Sequence, residues 1–319
     1  MKAFVCKKYG QSDALELLDV PTPIPNSDEI LVRVKAVSVN SWDWDNLVGA
    51  PIIRLIAPFK PPYSILGGDL SGVVEAVGSS ITNFKVGDDV YGDVSNSGWG
   101  GFAEFVAGKA EHFIQKPAGL SFEDAATLPQ AGLLGYQGVH EFGQVKAGDN
   151  VLISGAGGGA GMFAIKLAKL AGAHVTGIDR SDKLQAMIEC GADVVFDYQQ
   201  CDYTKFEQTF DVIIDAVASK RARSYRRVLT PTGTFVMMGG KIPSILSTLI
   251  AGRKNADETQ KFKILMWNVN TEDLSKLGNL VVEKNLKVAI HKRFSFKDTP
   301  LAVQFVGDQN AIGKVIISL

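Results

Sequence analysis

Seven small residues in a row, Gly155-Ala156-Gly157-Gly158-Gly159-Ala160-Gly161, let a backbone approach an anion more closely than side chains would allow. A run with helical spacing follows at once (Phe163, Ile165, Leu167, Ala168, Leu170). A helix N-terminus presents unpaired N–H groups and the positive end of the helix dipole, which together bind phosphate. Ala156, Gly157, Gly158, Gly159 and Ala160 are therefore candidate backbone contacts to a pyrophosphate, and Gly161 reads as a packing glycine. About twenty positions on, Asp179 can bond the hydroxyls of an adenosine ribose, an arrangement that favours NAD. Arg180, Ser181 and Lys183 follow directly and could instead hold a ribose phosphate, arginine being suited to bidentate recognition. The reading taken is NADP, with NAD the alternative.

The elements that must position these groups are legible on either side. Val151, Leu152 and Ile153 form a short apolar strand into the turn, and His174 to Ile178 form a second strand that ends at Asp179. A helical stretch over 181–190 comes next, then Val194–Phe196 as a third parallel strand. Phe210 to Ala218 is an almost continuous apolar run, suited to a strand buried on both faces. Thr234 to Met238 is another, closed by Gly239–Gly240. Leu274, Leu277, Leu280 and Val281 have helix spacing behind a capping-type Thr271-Glu272-Asp273.

The first 115 residues have a different texture. Glu29–Val39 alternates, with Ile30, Val32 and Val34 on one face. Further strands are expected at 1–5, 70–77, 89–91 and 102–107, separated by prolines and glycines, as in a compact barrel. The last stretch, 291–319, reads as β-like, with a terminal strand at Lys314–Ile317.

Composition narrows the function classes. A chain of 319 residues, 46% hydrophobic and 21% charged, with formal net charge −1, is expected to form two soluble domains. That balance points to neither a nucleic-acid nor an anionic-membrane partner. Its longest uncharged stretches are too short for membrane insertion. Cys6, Cys190 and Cys201 have no paired or metal-type spacing, which with a start lacking a signal-peptide core suggests the cytoplasm.

Residues 62–92, PYSILGGDLSGVVEAVGSSITNFKVGDDVYG, taken with 151–183, resemble the medium-chain dehydrogenase/reductase superfamily, and its zinc-free quinone oxidoreductase branch in particular. The resemblance covers nearly the whole chain. It implies an α/β fold: a GroES-like β-barrel domain (1–124 and 291–319) plus a Rossmann doubly wound parallel sheet (125–290). Relatives that oxidise alcohols hold a catalytic zinc at three positions, which here are Asn40, Gly68 and Ala131. None supplies the thiolate, imidazole or carboxylate that zinc requires. Three cysteines also cannot make a four-thiolate structural site.

Without a Lewis acid, reduction of an already electrophilic substrate is the easier chemistry. The resemblance thus implies hydride transfer from NADPH to a quinone or an α,β-unsaturated carbonyl, with hydrogen-bond donors stabilising the developing oxyanion. It places Asn40 near the nicotinamide ribose and substrate, where its amide could donate; an Asx-type turn residue capping the strand is the alternative to that reading. Asp43 reads as the residue that holds this loop. Tyr63 is the candidate proton donor; Trp42 and Trp44 either line an apolar cleft or pack the barrel. Tyr198 is matched to a tyrosine beside the adenosine half, and Gly239 and Gly240 to the turn that passes the nicotinamide. A catalytically silent cofactor-binding sensor or interaction protein on the same fold is the competing class. The apolar part of 241–266, Ile242 to Ala251, reads as a cover for the cleft or a contact in a homodimer, and Arg253 to Lys263 as a solvated loop or helix face.

Overall fold

The computed structural model describes residues 1–240, 242–253 and 259–319. They divide into two compact units, residues 1–130 with 269–319, and residues 131–268. The chain enters the first unit through β1 (Lys2–Cys6) and β2 (Leu15–Asp19), an antiparallel pair, and then β3 (Glu29–Val39). Two short helices, α1 (Ser41–Val48) and α2 (Pro51–Ile56), lead to β4 (Asp69–Val77), β5 (Asp89–Asp93), β6 (Phe105–Lys109), β7 (Phe113–Gln115) and α3 (Phe122–Ala126).

In the second unit β8 (Asn150–Ser154) follows α4 (Leu133–Tyr136). Next come α5 (Gly159–Leu170), β9 (His174–Asp179), α6 (Leu184–Glu189), β10 (Val194–Asp197) and β11 (Phe210–Asp215). The unit ends with α7 (Ala222–Tyr225), β12 (Leu229–Met237), α8 (Ile242–Arg253) and β13 (Lys261–Ile264). The chain then returns to the first unit as α9 (Thr271–Glu283), β14 (Ile290–Ser295), α10 (Thr299–Gly307) and β15 (Lys314–Ser318).

The six strands of the second unit are all parallel, in the order β10-β9-β8-β11-β12-β13. Each is flanked by helical connections, and β8 and β11 are buried on both faces, which is why they read as unbroken apolar runs. The order reverses between β8 and β11, the switch point of a doubly wound sheet, where ligands bind beyond the carboxyl ends of the strands.

The first unit is a seven-stranded sheet, order β14-β15-β3-β4-β5-β7, with β6 also on β3. Ile30, Val32 and Val34 are all buried, as the alternation of β3 predicts, in a core shared with Leu47, Leu70, Phe102 and Ile317. The terminal strand is confirmed, and it runs antiparallel to β3 with Val315 opposite Val39.

Several expectations of local structure fail. Residues 299–307, within the stretch read as β-like, form α10, whose Ala302 and Val303 face the first core; the apolar run was too short to separate strand from helix by period. The cap of α9 is Asn270, whose side chain accepts from the Asp273 N–H, one residue earlier than the Thr271 motif implied. Residues 269–290 pack with the first unit, where the Tyr91 hydroxyl donates to the Leu274 carbonyl at 3.0 Å. Part of the charged run 253–263 is strand β13; Lys241 and 254–258 lie outside the described residues.

Candidate active site

The glycine-rich turn takes the expected shape. Gly155 and Ala156 both donate to the Ile178 carbonyl, tying the turn to the end of β9. Gly158 is the N-cap of α5 and has no side chain to occupy the first-turn N–H groups, so Gly159 and Ala160 open the helix with donors uncapped by any side chain. A methyl at Gly158 would find only the Gly155 oxygen nearby, at 3.3 Å, so the cradle above the helix start is bare backbone. Gly161 has the packing role: a Cβ there would fall 2.2 Å from the Gly155 oxygen and 2.6 Å from the Ala156 Cα. Of the residues read as pyrophosphate contacts, Ala156, Gly157 and Gly158 have their N–H groups taken by the Ile178 carbonyl, Asp179 Oδ2 and the Gly155 carbonyl, because the tight turn closes on itself and on the end of β9. Gly159 and Ala160 keep open donors, and there a dinucleotide pyrophosphate fits.

Asp179 lies at the end of β9, buried, and both its oxygens are engaged. Oδ2 accepts from the Gly157 N–H at 2.8 Å. Oδ1 accepts from the Arg180 N–H at 2.9 Å and is 3.8 Å from the Lys183 ammonium. The Arg180 guanidinium grips the Asp182 carboxylate with two bonds, Nε at 3.1 Å and Nη2 at 3.0 Å. Ser181 opens the short 3₁₀ turn that carries Lys183. Tyr198 follows β10, donates its N–H to the Asp179 carbonyl and leaves its side chain half exposed. The structure thus gathers Ala156–Ala160, Asp179–Ser181, Lys183 and Tyr198 at one end of the sheet.

Gly239 and Gly240 follow β12 beside the loop after β11. Gly240 has φ of +137°, and a Cβ there would meet the Ala218 Cβ at 2.5 Å. That loop was not singled out from sequence. Ala218 is a non-glycine with φ of +46°, held there because the buried Asp215 accepts from both the Val217 and Ala218 N–H groups. Tyr225 donates to the other Asp215 oxygen. The signal was present as an acid ending the apolar strand FDVIID.

In the first unit, Asn40 follows β3 and is the N-cap residue of α1. Its backbone N–H donates to Asp43 Oδ2 at 2.7 Å, and the Gly67 N–H donates to Asp43 Oδ1 at 2.9 Å. Asp43 therefore pins the 40–43 loop to the 67–69 loop, the holding role read for it. The Asn40 carboxamide faces inward. Nδ2 donates to Asp69 Oδ2 at 2.9 Å and has a long 3.5 Å contact with the Ser38 carbonyl, while Oδ1 accepts from the Lys314 ammonium. Burial raises the Asp43 carboxyl to about 7, and burial together with the charge of Asp93 raises Asp69 well above the usual carboxylate range. Lys314, also buried, has its pKa lowered by burial against the opposing pull of Asp69 and Asp43. Sequence reading passed over Lys314 as part of a terminal strand, although a lysine in an apolar strand was the available signal.

Tyr63 is half-buried, its ring 5.7 Å from that of Trp99, and its hydroxyl makes no hydrogen bond among the described residues. Trp42 is half exposed. Trp44 packs on the first core, with its ring against the backbone at Gly307 in α10, which fits the packing reading of this residue. Gly68 offers no donor, and a Cβ built on it would lie 3.3 Å from Asp93 Oδ1. The residues at the three zinc positions do not fit the metal, and no group of three metal-ligating side chains occurs among the described residues. No helix among them is long and apolar enough to cross a membrane.

Comparison with known proteins identifies the two kinds of domain. Residues 26–118 match the alcohol dehydrogenase GroES-like domain, and 190–317 match the zinc-binding dehydrogenase family. The chain is 31% identical to the chloroplast envelope quinone oxidoreductase homolog of Arabidopsis thaliana, over 99% of this chain and 98% of that protein. It is 29% identical to the 2-methylene-furan-3-one reductase of Solanum lycopersicum, over 99% of this chain and 79% of that protein. The solved quinone oxidoreductase from Coxiella burnetii superposes with a TM-score of 0.90 at 30% identity, covering 100% of this chain and 99% of that one.

Proposed function

The chain belongs to the quinone oxidoreductase branch of the medium-chain dehydrogenase/reductase superfamily and is an NAD(P)H-dependent oxidoreductase; from that premise we propose that it reduces quinones or α,β-unsaturated carbonyls with NADPH and without zinc. The observation that carries this reading is a phosphate cradle formed by the uncapped N–H groups of Gly159 and Ala160 in a chain whose zinc positions are Asn40, Gly68 and Ala131. When bound, the nicotinamide supplies a hydride.

The protein's own part is to hold the dinucleotide and to stabilise the charge that appears on the substrate. The backbone N–H groups of Gly159 and Ala160 at the start of α5 would hold the pyrophosphate, and Tyr198 would flank the adenosine half. Addition of hydride at the β-carbon of an enone moves the alkene electron pair onto the carbonyl oxygen, and a proton then returns to the α-carbon. The Tyr63 hydroxyl, which has no partner among the described residues, and the more weakly held N–H of the Asn40 carboxamide are the donors for that oxygen. Tyr63 is also the proton source in this reading.

NADPH is favoured because both Asp179 oxygens are already committed to Gly157, Arg180 and Lys183, leaving the carboxylate poorly placed to bond two ribose hydroxyls. Arg180 would leave Asp182, and Lys183 would turn from Asp179, to meet the ribose phosphate. The substrate partner is a small molecule.

The test is a cofactor-oxidation screen of purified protein against quinones, alkenals and longer enones, with NADPH and NADH compared by kcat/KM. Turnover of either substrate class is expected. No oxidation with any of them would leave only the silent cofactor-binding reading, and a strong preference for NADH would overturn the cofactor assignment.

A further inference from the structure

We propose that Lys314 is a positioning residue: by donating to Asn40 Oδ1 it fixes which end of the Asn40 carboxamide is offered to substrate. The two ends of a carboxamide have nearly the same shape and opposite hydrogen-bonding character, so its neighbours decide its orientation. An ammonium only donates, so the atom that meets Lys314 is the oxygen. The Asp69 carboxylate accepts, so the atom 2.9 Å from it is the nitrogen. Both neighbours specify the same orientation.

The placement of Lys314 follows from strand register. β15 runs antiparallel to β3 with Val315 opposite Val39, which sets Lys314 opposite Asn40 one step beyond the paired residues. The turn before it is tight: Gly313 has φ of +76°, a Cβ there would fall 2.2 Å from the Ala289 oxygen, and the Lys314 N–H donates to that oxygen at 2.8 Å. Charge keeps the ammonium in place. Asp43, Asp69 and Asp93 are each no more than 2% exposed, and the buried Lys314 is the cation whose charge acts on both Asp43 and Asp69. Loss of the lysine alone would strand buried negative charge and destabilise the unit.

The test uses charge-balanced variants of the full chain, assayed with benzoquinone and crotonaldehyde and the better of the two cofactors. The side-chain amide that D69N introduces can either accept or donate, so in that variant the lysine alone still orients Asn40. In K314M/D69N neither determinant remains, while net charge is that of wild type. Relative to D69N, the double variant is expected to lose about tenfold in kcat with cofactor KM unchanged. K314M/D43N against D43N is the matched comparison in which Asp69 still orients Asn40, so a smaller loss of kcat is expected there than in the Asp69 pair. Equal kcat of K314M/D69N and D69N overturns the proposal. So does failure of both double variants to fold while D69N and D43N fold, which would make the role of Lys314 structural.

The proposal rests on Asn40 acting as a donor, and N40L tests that separately. If N40L keeps full kcat, the functional reading of Asn40 fails and takes the proposal with it. If N40L loses kcat while the lysine variants do not, only the proposal fails.

Discussion

Substitution of Gly161 by alanine tests whether this turn is set by contact between backbones. The backbone conformation at Gly161 is open to alanine, so the effect must come from space. An added Cβ would lie 2.2 Å from the Gly155 oxygen, 2.6 Å from the Ala156 Cα and 2.7 Å from the Ala156 oxygen. Carbon settles against a carbonyl oxygen at about 3.3 Å, so the shortfall is about 1.1 Å against the 2.2 Å found. No flexible side chain can yield, because all three atoms are backbone. Either α5 moves off β8 or the turn opens. Overpacking of this kind costs about 1–3 kcal/mol. At about 2–4 °C per kcal/mol for a unit of this size, the melting temperature should drop by about 2–12 °C.

The same shift carries the Gly159–Ala160 backbone away from the phosphate position. Loss of one charge-assisted bond, about 1.5–3 kcal/mol, should weaken NADPH binding roughly ten- to a hundredfold. Titration of cofactor fluorescence and a thermal melt read the two effects. Gly158→Ala is the matched control for location: its Cβ meets only one atom, at 3.3 Å, so binding should fall far more than stability. A G161A protein that melts and binds NADPH as wild type does would show that contact between backbones does not set this turn.

Other outcomes follow from the first unit. Asp43 carries a pKa raised to about 7 against an ordinary value of 3.8, so between those values the folded state holds a proton that the unfolded state releases. Its contribution therefore makes the protein less stable as pH rises across that window, at most by about 1.4 kcal/mol per pH unit, and levels off above it. In D43N the fall in melting temperature between about pH 5 and 7.5 should shrink, and an unchanged slope would remove Asp43 as its source. Tyr63→Phe should lower kcat toward crotonaldehyde without changing cofactor affinity; unchanged kcat would exclude the hydroxyl as proton donor. Dialysis against a chelator should leave enone reduction intact, because Asn40, Gly68 and Ala131 are not zinc donors, and activity that returns only on adding zinc would contradict this.

What could be read ahead of the structure depended on whether the information was local. The β8–turn–α5–β9 unit is local: strand, small residues, helix and acid lie within thirty residues, and each is specified by its neighbours. β3 was legible because one of its faces is buried along its whole length. The buried cluster was not legible, since Asn40, Asp69, Asp93 and Lys314 come from four separate stretches and meet only through strand register. The inward turn of the Asn40 carboxamide is the clearest instance. From sequence it is a polar residue at a strand end, and only the lysine placed opposite it shows that the oxygen is already taken. β13 was hidden for another reason: Lys261 and Lys263 make an edge strand look like a solvated loop, yet Lys263 Nζ reaches the Phe142 carbonyl at 2.7 Å.

The placement of β15 between β14 and β3 also has a consequence for how the chain is made. The second unit is one continuous stretch and can close as soon as it leaves the ribosome. The first cannot, because Lys314 lies 274 residues beyond the asparagine it meets. At about 5–20 residues per second, β3 waits roughly 15–55 seconds with an apolar edge unpaired. During that interval Val37 and Val39 are open to pairing with other chains, and the barrel's integrity in the cell depends on whatever shields that edge until its partner arrives.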